Sequence, residues 1–214
     1  WAHGRLHWKC EVAVVAYCSD HLAFERDRDA CLGLDSLFVR CGMNQLSAAA
    51  AAGLKEGTAS GRGGKGMVYV FSSGNEYTNG DDVNFEGFLN SRYTISVGAL
   101  GRDLLHASYS TSGAALFLSA PGGDLDHLRN MVTAFPLAAG VAGDCGDATV
   151  GTSFSCPLVS GAIAVMLEAN PNLTWRDVQG VLAASAAAVG VGDGGWRTNA
   201  AGVRHHDDYG FGML

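Results

Sequence analysis

Two short polar motifs carry side chains that could perform acyl-transfer chemistry. Residues 151–157 read GTSFSCP, which places Ser153 where a glycine loop enters a helix. A serine there can act as a nucleophile, since its backbone N–H and the helix dipole both favour nearby negative charge. Asn75 ends the motif SSGN, and its amide can donate to a developing oxyanion. By spacing alone, an N-cap at Ser153 or Thr152 and a turn at Asn75 are the simpler explanations.

The elements that must position these residues alternate between strands and helices. Short apolar runs predict strands at residues 67–72, 93–100 and 115–120, the first ending just before Asn75. Helical patterns cover residues 47–55, 153–169 and 174 to about 188. Strands that alternate with helices predict an α/β fold with a mostly parallel sheet.

Other segments are less regular. Residues 58–66 are Gly-rich and basic and predict a loop, and residues 122–151 predict long loops or a hairpin. Residues 11–17 (EVAVVAY) fit either a strand or a helix. In the helix at residues 153–169, four apolar positions recur at helical spacing and mark a candidate core face: Leu158, Ala162, Val165 and Met166.

Length and charge limit the classes of function. The chain has 214 residues, which suits one domain. Its 14 Lys and Arg against 21 Asp and Glu give a net charge of −7, which disfavours nucleic acid as a partner. No apolar run approaches the ~20 residues that span a bilayer, so we expect no transmembrane segment. Because the first residue is Trp1, we interpret the chain as a processed product or a fragment.

Several motifs, in one order along the chain, resemble the subtilisin superfamily. GTSFSCP resembles its nucleophile motif Gly-Thr-Ser-x-x-x-Pro, and VYVFSSGNE followed by NSRYTISVGAL resembles its oxyanion-Asn region. LEANPNLTWRDVQ, the loop GRGGKG and the closing YGFG resemble the kexin/furin branch. The resemblance covers residues 47–214 well and residues 1–46 poorly. It implies a subtilisin-like three-layer α/β fold, with an atypical or missing N-terminal part in residues 1–46 and the catalytic-domain portion in residues 47–214.

The resemblance implies a Ser–His–Asp triad in the chain order Asp, His, Ser. Ser153 is then the nucleophile, and Asn75 with the Ser153 N–H forms the oxyanion hole. His3 is the best match for the triad histidine, because His-Gly is followed here by CEVA, and His7 is the alternative. The Asp motif of the family is missing, with Asp20 as a weak candidate, and so is its Ser-Trp-Gly-Pro segment.

Acidic residues after Asn75 bear on specificity and metal binding. By position, Asp81 matches a calcium ligand of the family, and Glu86 matches a carboxylate of the S1 region, the pocket for the residue before the cleaved bond. A carboxylate pairs with substrate Arg or Lys, and oxygen ligands suit Ca²⁺. Thr111 stands where the family has a Glu, which weakens the calcium expectation.

Three further sequence features concern disulfide bonds, glycosylation and histidine exposure. Six Cys allow 15 pairings, and the resemblance implies a disulfide at Cys145, with Cys18 as a candidate partner. Residues 172–174 (NLT) form an N-glycosylation sequon. Five histidines fall in segments that suggest exposed loops: His21, His106, His127, His205 and His206.

The resulting hypothesis is a serine endopeptidase that hydrolyses peptide bonds through an acyl-enzyme on Ser153. The resemblance implies peptide or proprotein substrates, cleavage after basic residues, structural calcium, and a secretory or extracellular location. The alternative is a catalytically inactive subtilase-like domain that binds other chains, which the missing Asp motif favours and the intact GTS motif opposes.

Overall fold

The computed structural model describes residues 14–17, 45–125, 130–134 and 145–214. Four parallel strands form the main sheet in the order β1-β2-β3-β4. Their bounds are β1 Val14–Tyr17, β2 Val68–Ser72, β3 Thr94–Leu100 and β4 Leu118–Pro121. The α/β fold with a mostly parallel sheet is therefore confirmed, and the described part of the segment that fitted either a strand or a helix, Val14–Tyr17, is a strand.

Three helices and two strand pairs accompany this sheet in the described part of the chain. The helices are α1 Ala48–Gly64, α2 Thr152–Ala169 and α3 Trp175–Ser185. The antiparallel pairs are β5 Met131–Ala134 with β6 Cys145–Thr149, and β7 Arg197–Thr198 with β8 Arg204–His205. The β5–β6 pair is the hairpin expected within residues 122–151.

The core lies between α2 and the sheet. Alternate residues of the strands, such as Val70, Val97 and Leu118, pack against Val159 and Ile163 of α2, and all five are 0% exposed. Every residue of β3 is buried, as expected for a central parallel strand covered on both faces. Burial on this scale fixes the sheet and α2 relative to each other, so the loops at their ends are held by rigid elements.

Helix α1 is longer than the sequence predicts. It begins after Ser47, whose Oγ accepts the Ala50 N–H at 3.2 Å, and it continues through the segment assigned to a loop. Thr58 is buried, and its hydroxyl donates to the Leu54 carbonyl at 2.9 Å. The backbone leaves helical geometry only at residues 61–63, so the predicted loop at residues 58–66 was wrong in its first part.

Helix α3 has the predicted start and an earlier end. Thr174 and Asp177 form the expected capping box. The helix ends at Ser185 because Ala187 pairs instead with Met213, through two reciprocal N–H···O=C bonds of 2.8 Å.

The predicted apolar face of α2 was right only in part. Met166 packs against the core, but Leu158 and Val165 are 45% and 65% exposed, and the buried stripe consists of Val159, Ile163 and Leu167. Among the described helices, α2 alone is long and apolar enough to span a membrane by length and composition, with 33% of it buried. Core helices of water-soluble domains meet the same criterion, and the packing of α2 on the sheet is of that kind.

Candidate active site

Asn75 lies in the turn that follows β2. Gly74 precedes it with φ +106°, a conformation that glycine adopts without strain. Its carbonyl accepts the Thr111 N–H at 3.0 Å, and a Cβ added at Gly74 would lie 2.9 Å from the Thr111 Oγ1. The turn is therefore packed tightly against the segment around Thr111, which fixes the direction of the Asn75 side chain.

Helix α2 begins at a second constrained glycine. Gly151 has φ +147° and is the N-cap of α2. Its N–H donates to the Gly122 carbonyl at 3.0 Å, just beyond the end of β4, and its own carbonyl accepts the Phe154 N–H at 3.0 Å. The first turn of α2 is thereby attached to the carboxyl edge of the sheet, where ligands bind in open α/β folds.

The two segments meet through Thr152. Its backbone N–H and its hydroxyl both donate to Asn75 Oδ1, at 3.0 and 2.9 Å, and the hydroxyl also reaches the Gly74 carbonyl at 3.3 Å. Because two donors converge on one atom of the carboxamide, that atom is the acceptor oxygen. The Asn75 amino group must then point away from Thr152. Thr152 is thus a site residue that the sequence reasoning treated only as a candidate cap.

Ser153 is the next residue of the same helical turn and is half-buried. Its backbone N–H is among the first four of α2, which have no acceptor within the helix. A Cβ at Gly151 would lie 3.7 Å from the Ser153 nitrogen and 3.8 Å from Asn75 Oδ1. Both distances are ordinary van der Waals contacts, so the left-handed backbone rather than lack of space favours glycine at position 151. The Ser153 N–H lies at the positive end of the helix and can donate to an anionic oxygen.

The acidic residues lie in the loop between β2 and β3. Asp81 and Glu86 are both half-buried, and two short 3₁₀ helices, Tyr77–Asn79 and Val83–Phe85, shape the loop around them. Burial raises the pKa of Asp81, and the nearby carboxylates of Glu76, Asp82 and Glu86 raise it further. The loop therefore concentrates negative potential that a cationic group would relieve.

The described residues do not by themselves fit a calcium site. No three His, Cys, Asp or Glu side chains lie close enough to hold a metal in the part of the chain that the structure describes. At the position where a Glu was expected, the Thr111 Oγ1 accepts the Glu76 N–H at 3.1 Å. Asp81 therefore has carboxylates nearby but is not part of a group of three such ligands among the described residues, and no chemical step is assigned to calcium.

His106 lies beneath the acidic loop and is not the exposed residue that the sequence suggested. Its Nε2 is 2.8 Å from the Ser110 carbonyl and 3.0 Å from the Ser112 Oγ, and its ring packs edge-on against Tyr77 at 4.9 Å. Burial lowers its pKa. Ser112 in turn accepts the Val83 N–H through its carbonyl at 2.9 Å, so His106 supports the loop that carries Asp81.

Other expectations meet the described residues only in part. His206 is 6% exposed, which again differs from the surface position suggested for it. His3, His7, Asp20 and Cys18 lie outside the described residues, as do His21 and His127. For Cys145 the structure describes the backbone alone, so its disulfide stays a prediction.

Comparison with protein families gives a match over most of the chain. The profile of the Subtilase family matches residues 38–212. The chain is 39% identical over 165 residues to the kexin of Saccharomyces cerevisiae, covering 75% of this chain and 19% of that protein. It is 36% identical over 174 residues to the proprotein convertase subtilisin/kexin type 7 of Homo sapiens, covering 81% and 22%.

A third relative and two solved structures extend this comparison. The dibasic-processing endoprotease of Yarrowia lipolytica is 38% identical over 156 residues, covering 72% of this chain and 16% of that protein. The serine protease of Aeromonas sobria matches with a TM-score of 0.66 at 23% identity, over 81% of this chain and 40% of that one. A protease from Pseudoalteromonas arctica matches with a TM-score of 0.58 at 19% identity, over 81% and 46%. These two structural matches concern the fold alone.

Proposed function

Because this chain belongs to the subtilase family and has the corresponding α/β fold, we propose that it is a serine endopeptidase domain of the kexin-like branch. The chain spans about a fifth of the length of the curated relatives that it matches, at 19% and 22% for two of them. The proposal therefore concerns the chemistry of this domain and the substrates that its site can accept.

One observation carries the proposal: Thr152 holds Asn75 across 77 residues of sequence. This bond turns the Asn75 amino group away from Thr152, while Ser153 follows in the same helical turn. The proposed nucleophile, its backbone N–H and the Asn75 carboxamide then lie at one edge of the sheet. The N-cap of α2 is Gly151 rather than Thr152 or Ser153, and Asn75 is held by a bond from another segment, which supports a role beyond a local cap or turn.

The proposed reaction is acyl transfer. The Ser153 hydroxyl attacks the scissile carbonyl carbon as a base takes its proton, and the carbonyl oxygen becomes an oxyanion held by Asn75 Nδ2 and the Ser153 N–H. The C–N bond then breaks, the proton passes to the departing amine, and an ester to Ser153 remains. Water attacks this ester in the second half of the reaction and releases the carboxylic acid. His3 is proposed as the base by its match to the family motif.

The acidic loop supports a preference for basic residues. Glu86 is proposed to pair with a substrate Arg or Lys, and the neighbouring carboxylates, which add to the effect of burial in raising the pKa of Asp81, add to this attraction. The Yarrowia relative is named for dibasic processing, and the human relative is a proprotein convertase. We place this chain in the same class, with peptide or proprotein substrates and a secretory or extracellular location.

The test is covalent labelling by a fluorophosphonate, with the adduct located by mass spectrometry. We expect an adduct on Ser153 in the wild-type chain and none in Ser153→Ala. Ser155→Ala is the matched control, because it removes a hydroxyl two residues further along α2 that is 0% exposed. Asn75→Ala should slow labelling by about 10²–10³-fold, as for other oxyanion-hole side chains.

The opposite result is equally informative. If a chain with native circular dichroism and a cooperative thermal transition acquires no adduct, the endopeptidase proposal for this domain is wrong. The alternative, a subtilase-like domain that binds other chains without cleaving them, then remains.

Specificity has a separate test. Peptidyl phosphonates that differ only in the residue before the reactive phosphorus, Arg in one and Leu in the other, are compared by their labelling rates. We expect the Arg probe to react faster, and Glu86→Gln to reduce that advantage by roughly 10–150-fold, since a hydrogen bond to a charged group contributes about 1.5–3 kcal/mol. Equal rates for the two probes would refute the basic preference and leave the acyl-transfer proposal intact.

A further inference from the structure

The segment between β3 and β4 contains a buried tyrosine that the proposed reaction does not use. Tyr109 is 6% exposed, and its ring lies in a small apolar cluster with Ala99 and Val150. A phenylalanine ring would fill the same space, so packing alone does not account for the hydroxyl. A buried tyrosine hydroxyl is normally explained by the polar groups around it.

The carbonyls that this hydroxyl contacts belong to the attachment of α2. The Tyr109 oxygen lies 2.9 Å from the Gly122 carbonyl oxygen and 2.8 Å from that of Gly123, and its one proton is donated to this pair. The same Gly122 carbonyl accepts the N–H of the α2 N-cap, Gly151, at 3.0 Å. Burial raises the pKa of Tyr109, and a hydrogen bond with the Gly151 backbone opposes this rise. The hydroxyl therefore holds the loop at residues 122–123 where that loop holds α2.

The backbone around Tyr109 contacts the other side of the proposed site. The Tyr109 carbonyl accepts the Tyr77 N–H at 3.1 Å, at the start of the acidic loop. Two residues later, the Thr111 N–H donates to the Gly74 carbonyl at 3.0 Å, in the turn that carries the oxyanion carboxamide. This three-residue segment thus holds one half of the site with its backbone and the other half with the Tyr109 side chain.

We propose that Tyr109 is a positioning residue for acyl transfer to Ser153, because its hydroxyl fixes the loop at residues 122–123 and, through it, Gly151. This role depends on the proposed function, since the position of Ser153 matters to a rate only if Ser153 reacts. Ser153 follows Gly151 by two residues, so a displacement of Gly151 reaches the nucleophile directly. Catalytic groups must be held within about 0.5 Å of the productive geometry, so a small displacement is enough to slow the reaction.

Tyr209 offers a matched control. It is 1% exposed, its hydroxyl donates to Asp193 Oδ2, and it accepts the His106 N–H at 3.3 Å. Among the described residues, neither partner is hydrogen-bonded to the loop at residues 122–123 or to the start of α2. Tyr209→Phe and Tyr109→Phe therefore each remove one buried, hydrogen-bonded hydroxyl and keep the ring, but only the second removes a bond to the attachment of α2.

The experiment measures two properties of the full chain: the rate of fluorophosphonate labelling of Ser153, and amide hydrogen exchange in the peptide that contains residues 151 and 152. For Tyr109→Phe we expect slower labelling and faster exchange, each by roughly 2–10-fold, as the loss of one ordinary hydrogen bond predicts. Tyr209→Phe should keep the wild-type values of both. The Arg and Leu peptidyl phosphonates should slow by the same factor in Tyr109→Phe, because phenylalanine keeps the backbone carbonyl that holds the acidic loop.

The outcomes separate this role from the proposed function. A wild-type chain without an adduct on Ser153 refutes the endopeptidase proposal, whereas a labelled wild type with an equally fast Tyr109→Phe refutes only the role of Tyr109. Equal slowing in the two Phe variants would also overturn that role, because it would report a general loosening of the fold. Exchange does not require activity, so unchanged exchange at residues 151 and 152 in Tyr109→Phe contradicts the proposed hold on α2 in either case.

Discussion

Removing the Ser155 hydroxyl should stabilise the protein, although the residue lies in the first turns of the helix that carries Ser153. Ser155 is 0% exposed, and its Oγ has no hydrogen-bond partner among the described residues. A buried hydroxyl without a partner costs about 1–3 kcal/mol, and its removal forfeits only the few dispersion contacts of one oxygen. We therefore expect Ser155→Ala to raise the free energy of unfolding by about 1 kcal/mol.

The neighbouring glycine gives the opposite expectation. A Cβ at Gly122 would lie 2.5 Å from the Ser155 Oγ and 2.6 Å from the Ala99 Cβ. The loop cannot easily move away, because the Tyr109 hydroxyl donates to the Gly122 carbonyl at 2.9 Å. Overpacking of this kind costs about 1–3 kcal/mol, so Gly122→Ala should lower the melting temperature by several degrees.

The two substitutions should also be coupled. In the Ser155→Ala background the closest of these contacts disappears, while the contact with Ala99 remains. Gly122→Ala should then cost about 1 kcal/mol less than it does alone, which exceeds the ~0.3–0.5 kcal/mol scatter of independent sites. Urea unfolding followed by circular dichroism, with equal m-values required, measures all four chains. Destabilisation by Ser155→Ala, or strict additivity, would refute the reasoning.

Three further substitutions test the site from other sides. Thr152→Val removes the hydroxyl donor to Asn75 and keeps the backbone donor, so fluorophosphonate labelling should slow by about tenfold, the equivalent of one ~1.4 kcal/mol hydrogen bond; Thr152→Ser should restore the rate, and an unchanged rate in the Val variant would contradict the role of this bond. Burial lowers the pKa of His106 below its ordinary 6.5, so the folded state binds this proton less tightly than the unfolded chain, and the stability that neutral His106 provides is complete above pH 6.5 and lost as the pH falls below it. His106→Gln keeps a donor for the Ser110 carbonyl, and its melting temperature should fall less than that of the wild type between neutral pH and about pH 5; parallel curves would speak against His106 as the titrating group. Burial raises the pKa of Asp81 above its ordinary 3.8, so the folded state binds this proton more tightly and the ionised carboxylate weakens the fold above that pH. Asp81→Asn should therefore raise the melting temperature at pH 7 by about 1–3 °C, with no gain expected near pH 3.5, and a loss at pH 7 would point to a cation bound there.

The strands were predictable because the strands of a buried parallel sheet have a recognisable sequence pattern. The predicted segments at residues 67–72 and 93–100 became β2 and β3 with ends shifted by at most one residue, since buried strands are short apolar runs bounded by turn residues. The third, predicted at residues 115–120, starts only at Leu118, because the residues before it form a turn in which the Leu116 N–H donates to the Gly113 carbonyl at 3.0 Å. Local composition therefore located the strands of the sheet, while turn contacts determined where this strand begins.

The face of α2 was not predictable from periodicity. Apolar residues occur all around this helix, so the stripe through Leu158 and Val165 and the stripe through Val159 and Ile163 are equally good candidates in sequence. The structure chooses the second, because it faces Val70 and Val97 of the sheet. When a helix is apolar on most sides, its sequence does not show which face is buried. Here that face is determined by packing against the sheet.

The candidate site required contacts that no single segment encodes. Asn75 and Ser153 could be named from their motifs, but the residue that relates them, Thr152, acts across 77 positions. Likewise, His106 looked like a loop residue because its burial comes from Tyr77 and Ser112, which approach from other turns. Motifs identified the groups that could react, and long-range packing determined their directions.

The start of α2 is bonded to the loops that follow two strands, so we expect the position of Ser153 to depend on both loops. Gly151 is bonded to Gly122 just beyond β4, and Thr152 is bonded to Asn75 just beyond β2. Those strands flank β3, so two consecutive residues at the start of α2 connect the loops on either side of that strand. Ser153 follows both attachments within two residues. A change at either strand end must therefore shift the proposed nucleophile, so Gly122→Ala should slow labelling even though Gly122 belongs to neither motif.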